Sequence, residues 1–276
     1  MPRIPSLDSP AWLGGEVTSY AQCILAPNPS PMTLDGTNTW LLHDSEHVAV
    51  IDPGPVDPGH QDRILAAIEL GGWTPSAILV THRHLDHAQG APALAARLRI
   101  PLHFPEEATG SDEPLAVHEV GSLVIRVIRT PGHTSDSVCM VLEELHGIVT
   151  GDTVLGRGTS VIAPPDGDLG AYLASLQMLR ECADGLTMLL PGHGPPQDDP
   201  VDVLEGYLLH RRARLDEVRA ALASGAANLD EVRAIVYPEI SPDLEHAASW
   251  SVRAQLAFLR SHGELPTGWT DALLGD

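Results

Sequence analysis

The chain has 276 residues, 43% of them apolar, which is enough to bury a sizeable core. Its formal net charge is −21 and all 16 basic residues are arginine, so chemistry that needs a lysine, whether a Schiff base or a P-loop, is excluded. Residues 1–200 carry nine arginines against 25 acids and residues 201–276 carry seven against 12, so neither part has the basic footprint of a nucleic-acid binder. In chain order, strand-like apolar runs fall at 40–42, 48–51 and 77–80, with a helical run at 61–70 before the third. A helical run at 92–97 follows, then strand-like runs at 124–128, 138–141, 148–150 and 188–190, with core-facing helical spacing at 168–176. This alternation predicts sheets covered by helices, an α/β class. After Pro200 the pattern is helical only, over 203–222, 229–236 and 250–259, with Asn228 a candidate N-cap and Asp230 and Glu231 in the first turn. A boundary near 195–200 divides the chain into segments 1–198 and 199–276.

No apolar run approaches the ~20 residues needed to span a bilayer. The first thirty residues lack a basic stretch followed by an apolar core, so no secretory leader is expected. Cys23, Cys139 and Cys182 are odd in number and show no Cys-x-x-Cys spacing, which predicts buried thiols in a reducing compartment, the cytoplasm by default.

Chemistry concentrates between Thr81 and Gly90, where His82, His84, Asp86 and His87 crowd one loop directly after an apolar strand. Zinc accepts imidazole nitrogen and carboxylate oxygen at about 2.0–2.2 Å, so such a cluster on a rigid loop can hold it. In an extended segment alternate side chains share a face, so His82, His84 and Asp86 are expected to converge while Asp86 and His87 turn toward a second ion. Three later strands also run into a Gly-flanked ligand: Pro131-Gly-His133, Gly151-Asp152 and Pro191-Gly-His193. Glycine beside the ligand permits φ > 0 and close approach, and proline stiffens the turn.

The ordered set His82-x-His84-x-Asp86-His87, His133, Asp152 and His193 resembles the metallo-β-lactamase fold hydrolases, over roughly residues 17–200. That resemblance implies an αββα sandwich in which His82, His84 and His133 bind one metal, Asp86, His87 and His193 bind a second, and Asp152 bridges them. Gly36-Thr-Asn-Thr-Trp40 resembles the family's first hairpin, and Ile51-Asp-Pro-Gly54 resembles the loop whose Asp, here Asp52, supports the metal-binding turn. Asp152 stands where true β-lactamases of this fold often have Cys, which ranks lactam hydrolysis low and points to the glyoxalase II, RNase Z and lactamase-β-2-like hydrolases. The absence of lysine ranks glyoxalase II itself low, because its glutathione contacts include Lys. The tail, with His210-Arg-Arg-Ala-Arg214 and Leu229-Asp-Glu-Val-Arg233, resembles the small, mainly helical, winged-helix-like domain that caps the cleft in lactamase-β-2-like hydrolases.

The expected activity is hydrolysis by a hydroxide held between two Zn2+ ions, iron and manganese being the other candidate metals, with Asp86 and Asp152 as catalytic residues. A thiol leaves as thiolate unaided, whereas a ribose alkoxide wants a proton donor that the motifs do not supply, so small acyl thioesters or lactones are the expected substrates. A single-strand endoribonuclease of the lactamase-β-2 type is the alternative, and a metal-binding regulatory or interaction module without turnover is the reading from another class. A small-molecule substrate is expected, with nucleic acid disfavoured, no membrane partner and the oligomeric state open. His43, His47, His60, His103, His118, His146, His246 and His262 read as ordinary. Tyr207 and His210 read as part of a solvated helix face, with reach into the cleft as the alternative, and Arg211, Arg212 and Arg214 as a solvated face, with a phosphate clamp as the alternative.

Overall fold

A strand packed on both faces is apolar through most of its length, as β9 (Val138–Leu142), reading Val-Cys-Met-Val-Leu and buried at all five positions, shows. The computed structural model describes residues 2–7, 10–105, 115–142 and 145–269. The N-terminal half contains β1 (Gly15–Thr18), β2 (Ala21–Leu25), β3 (Asn38–His43), β4 (His47–Ile51), α1 (Pro58–Gly71), β5 (Thr74–Leu79), α2 (Leu85–Ala88), α3 (Ala91–Leu98) and β6 (Leu102–His103). Then come β7 (Ala116–Val120), β8 (Leu123–Arg129), β9 (Val138–Leu142), β10 (Gly147–Gly151), α4 (Leu169–Cys182), β11 (Met188–Pro191) and β12 (Gln197–Asp198). The strands form two six-stranded mixed sheets, ordered β1-β2-β3-β4-β5-β6 and β12-β11-β10-β9-β8-β7. The parallel pairs are β4 with β5, β5 with β6, and β10 with β11.

Alternate residues of one strand feed different cores, as the two-residue period of a strand requires. Ala49 and Ile51 of β4 and Ala77 and Leu79 of β5 face Ile125, Met140, Val149 and Leu190 of the other sheet. Val48 and Val50, with Ile78, instead face outward onto Ile64 and Ile68 of α1 and Leu94 of α3. In the second sheet Cys139, Val141 and Ile148 face outward onto Tyr172, Leu176 and Leu179 of α4. Helix, sheet, sheet and helix thus stack as the expected αββα sandwich.

The helices start where capping chemistry allows. Asp57 accepts from the His60 amide ahead of Pro58 at the start of α1, and Asp168 accepts from Ala171 N at 2.7 Å to start α4. Beyond residue 199 lie α5 (Pro200–Ala223), α6 (Leu229–Val236), a 3-10 turn (Pro242–Leu244) and α7 (Glu245–Ser261). Asn228 caps α6 as anticipated, accepting from Glu231 N at 3.0 Å. This region is helical, as the pattern predicts, with no strand among the described residues; residues 270–276 of the 199–276 segment lie outside them. Its apolar faces join the core beneath the second sheet: Leu204, Tyr207, Val218, Val252 and Leu256 belong to one cluster with α4. No described helix is long and apolar enough to cross a membrane. Cys23 and Cys139 are buried as expected, but Cys182 is exposed because it ends α4, past the stripe that α4 buries.

Candidate metal centre

Both sheets present strand C-termini at one rim, and each candidate residue leaves from one of them. Asp52 follows β4, His82 to His87 follow β5, His133 follows β8, Asp152 follows β10 and His193 follows β11. At this rim the backbone stops pairing laterally, so loops can turn inward without losing ladder hydrogen bonds. Thr37, next to β3, pairs with His193 across an isolated bridge, and the Asn38 side chain donates to Pro191 O at 2.9 Å and Gly194 O at 2.8 Å. These bonds dock the His193 loop on the first sheet, and they give the Gly36-Thr-Asn-Thr segment a physical reason. Glycine is required at 192, where a Cβ would overlap Asp152 Oδ1, and at 132, where φ is 137° and a Cβ would strike the backbone of Tyr172.

All seven predicted residues come together in two groups. His84 Nδ1 lies 3.0 Å from His82 Nε2 and 3.1 Å from His133 Nε2. His87 Nε2 lies 3.3 Å from His193 Nε2, and Asp86 Oδ2 is 3.4 Å from the first and 3.2 Å from the second. Asp152 stands between the groups, with Oδ1 3.5 Å from His87 Nε2 and Oδ2 3.4 Å from His193 Nε2 and 3.6 Å from His133 Nε2. The alternation argument is corrected in one respect: Asp86 sides with His87 and His193, not with His82 and His84. The chain is extended only to His84 and then turns into α2, which rotates Asp86 away.

Outer partners leave the inward nitrogens bare. Thr81 Oγ1 donates its one hydrogen to Asp52 Oδ2 at 2.7 Å, so His82 Nδ1–H must donate to Thr81 Oγ1 at 3.0 Å. His87 Nδ1–H donates to Asp52 Oδ2 at 2.9 Å, His133 Nδ1–H to Val161 O at 2.9 Å, and His193 Nδ1–H to Gly36 O at 3.1 Å. In their neutral forms these four imidazoles therefore point a lone pair inward at Nε2. Bare nitrogens about 3 Å apart repel unless a cation lies among them. Asp152 Oδ1 is also buried with no hydrogen-bond partner, the mark of an atom whose partner is not protein. The donor set thus fits divalent metal, five imidazole nitrogens and two carboxylates being suited to zinc-like ions.

The electrostatics of these side chains agree. Burial opposes a charge on His87, but the carboxylates of Asp152, Asp52 and Asp86 outweigh it and raise its pKa well above the ordinary value. Burial opposes charge on His193 as well, yet Asp152 and Asp86 lift it to about 9. For Asp152 burial favours the neutral acid, and His193 and His87 hold the carboxyl well below its usual range. His82 has its pKa pushed well down by burial, with His87 adding to the effect. Deprotonated aspartates thus hold positive charge at His87 and His193, the place where a metal ion's charge is needed.

Beside His133 and Asp152 a cleft of about 520 Å³ opens between the sandwich and the helical region. Ile4 and Leu7, Met32 and Leu34, Leu155 and Val161, and Ile240 and Leu244 form apolar walls, while Arg157, His210, Arg211 and Arg214 also line it. The solvated-face expectation for α5 fails at Tyr207 and Arg211, which are 0% and 4% exposed. Tyr207 Oη accepts from Leu155 N at 2.8 Å and lies 2.9 Å from Gly158 O, its own donation, bracing the loop after Asp152. Arg212 is exposed as expected, and His210 is half-buried in the cleft. Sequence reasoning also missed His60, fully buried beneath the site. Thr39 Oγ1 donates to Asp52 O at 2.7 Å, so His60 Nε2–H donates to Thr39 Oγ1 at 2.8 Å and props the Asp52 turn. No motif surrounds His60; its position three residues after the capping Asp57 was the one signal available.

Comparison with known proteins bears on the same residues. The family model for the metallo-beta-lactamase superfamily matches residues 32–111 and 104–193, a span that takes in all seven. The lactamase-like protein adaB of Aspergillus niger is 31% identical over 253 residues, covering 87% of this chain and 75% of that protein. An atrochrysone carboxyl ACP thioesterase, dmxR1 of a Cryptosporiopsis species, is 33% identical over 207 residues, covering 72% of this chain and 62% of its own length. In fold, a beta-lactamase domain protein from Burkholderia ambifaria superposes with a TM-score of 0.78 at 21% identity, covering 97% of this chain and 94% of that one. With the family model spanning more than half of its length, the chain belongs to the metallo-beta-lactamase superfamily and is a hydrolase of that fold.

Proposed function

We propose that the chain is a dinuclear zinc hydrolase of acyl thioesters, with lactones as the second substrate class. His82, His84 and His133 would hold one ion and Asp86, His87 and His193 the other, with Asp152 between them; residues 1–198 form the catalytic body and 199–276 its cap. The ions would supply Lewis acidity at the acyl carbonyl and lower the pKa of a coordinated water from 15.7 to about 7. The protein's own part is to keep the ligand nitrogens aimed, through Asp52, Thr81 and the carbonyls of Gly36 and Val161. Ser160 Oγ donates to the Asp152 carbonyl, which fixes the turn that carries the central carboxylate.

The observation that carries the substrate class is the apolar-walled cleft ending at His133 and Asp152. Its one carboxylate among the described residues is Asp152, and His210, pushed down to about 4 by burial with Arg211 and Arg214 adding to it, is neutral at pH 7. Among the described lining residues no carboxylic acid or charged imidazole is therefore placed to protonate an alkoxide, while a thiol of pKa about 8.5 needs little such help. The thioesterase relative supports the same class. The endoribonuclease alternative has less support, because Arg157 is paired with Asp35 at 2.7 Å and Arg214 with Glu217 at 2.6 Å. Too little free positive charge is left for a polyanion.

The test is a hydrolysis panel of N-acetylcysteamine thioesters, lactones and single-stranded RNA on metal-loaded protein, with EDTA removal and zinc restoration. Thioester turnover lost with EDTA and regained with zinc is the expected result; RNA cleavage without thioester turnover overturns the proposal. Elemental analysis of the protein as purified separates zinc from iron and manganese.

A further inference from the structure

A guanidinium buried without a counter-charge is costly, and pairing with an anion offsets that cost. Arg211 is 4% exposed, and among the described residues no carboxylate lies within ion-pair distance of it. Its Nη2 donates to Ser160 O, and its guanidinium lies over the Tyr172 ring, 4.9 Å from the centroid. The Tyr172 hydroxyl also takes a hydrogen bond from the guanidinium, yet these contacts do not use all five N–H donors, and its buried Nε has no partner. The other two arginines of the cleft are neutralised within the chain, Arg157 by Asp35 and Arg214 by Glu217. Among the described residues the cleft therefore gathers three arginines against the single carboxylate of Asp152, in a chain of net charge −21.

We propose that Arg211 is a specificity residue that pairs with a second, singly anionic oxygen, a carboxylate or an acidic enol, carried on the acyl part of the substrate. This rests on the reading of the site as an acyl hydrolase and adds which acyl groups it takes. The apolar walls exclude a bare small acid as the best fit, since hydrocarbon must fill the space between the scissile carbonyl and the anion. They also exclude a multiply charged group, for which one free guanidinium is too little. The fork geometry of arginine suits a planar oxyanion, and burial strengthens the pair. The single Ser160 residue joins the two ends of the site, its hydroxyl donating to Asp152 O and its carbonyl accepting from Arg211.

Two matched pairs of probes separate this inference from the reading beneath it. The N-acetylcysteamine thioesters of glutarate and pentanoate differ in one carboxylate and report turnover; the corresponding unhydrolysable amides report binding to the metal-loaded protein by calorimetry. The acid-bearing amide is expected to bind at least tenfold more tightly than the neutral one. In Arg211→Met that preference falls to about one at unchanged metal content, and Arg211→Lys, which keeps the charge without the fork, retains part of it. A loss of metal in Arg211→Met would assign the residue a structural role and overturn the proposal. Equal binding of the two amides by the wild-type protein overturns it without any variant, as does a preference that survives in Arg211→Met. Binding preference without turnover of either thioester would instead overturn the thioesterase reading and leave the anion subsite standing.

Discussion

At the residue scale, much of the site rests on one aspartate that touches no substrate. Asp52 holds left-handed backbone, with φ 49°, and its two oxygens take Thr81 N at 2.7 Å, Thr81 Oγ1 at 2.7 Å and His87 Nδ1 at 2.9 Å. Asp52→Ala frees the His87 ring and is expected to weaken metal binding about 10–100-fold, read by competition with a chelating dye. An unchanged affinity contradicts the role. His60 supports the same turn and carries a pH signature. Burial pushes its pKa down to about 4, with Arg63 adding to the effect. The unfolded chain, with His near 6.5, takes up this proton first, so the contribution is present above pH 6.5 and is lost as pH falls toward 4. At 1.36 kcal/mol per pKa unit the loss is at most about 3 kcal/mol. His60→Gln keeps a donor for Thr39 without titrating, so it should narrow the gap between denaturant midpoints at pH 7 and pH 5 in EDTA; equal gaps contradict the assignment.

At the element scale, the strands legible in the sequence are β3, β4, β5, β8, β9, β10 and β11, inner strands of the two sheets that each carry a short apolar run. The strands at the four sheet edges, β1, β6, β7 and β12, escaped notice because an edge strand is short and half-solvated: β1 reads Gly-Glu-Val-Thr and β12 Gln-Asp. The seven candidate ligands were legible for a different reason. A chemical requirement fixes residue type at each position, so His82, His84, Asp86, His87, His133, Asp152 and His193 stand out without any knowledge of their contacts. Tyr207 and Arg211 did not, because α5 mixes apolar and charged residues all round and sequence alone does not tell which side meets the loop after Asp152. The bracing role of α5 is open to test. Tyr207→Phe removes the acceptor of buried Leu155 N, and an unsatisfied buried donor costs about 1–3 kcal/mol. The melting temperature should fall by several degrees. A melting curve superimposed on wild type would show that the loop does not depend on this bond.

At the scale of the whole molecule, two sheets bring five strand ends to one rim, and a helical cap shares the core of the second sheet. The parts meet in one claim, that the seven side chains enclose two divalent ions. Anomalous diffraction from crystals of the zinc-loaded protein tests it most directly. The account predicts two peaks at the rim, one among His82, His84 and His133, the other among Asp86, His87 and His193, with Asp152 in contact with both. A single peak, or peaks away from these residues in a protein that hydrolyses thioesters at full rate, would contradict it.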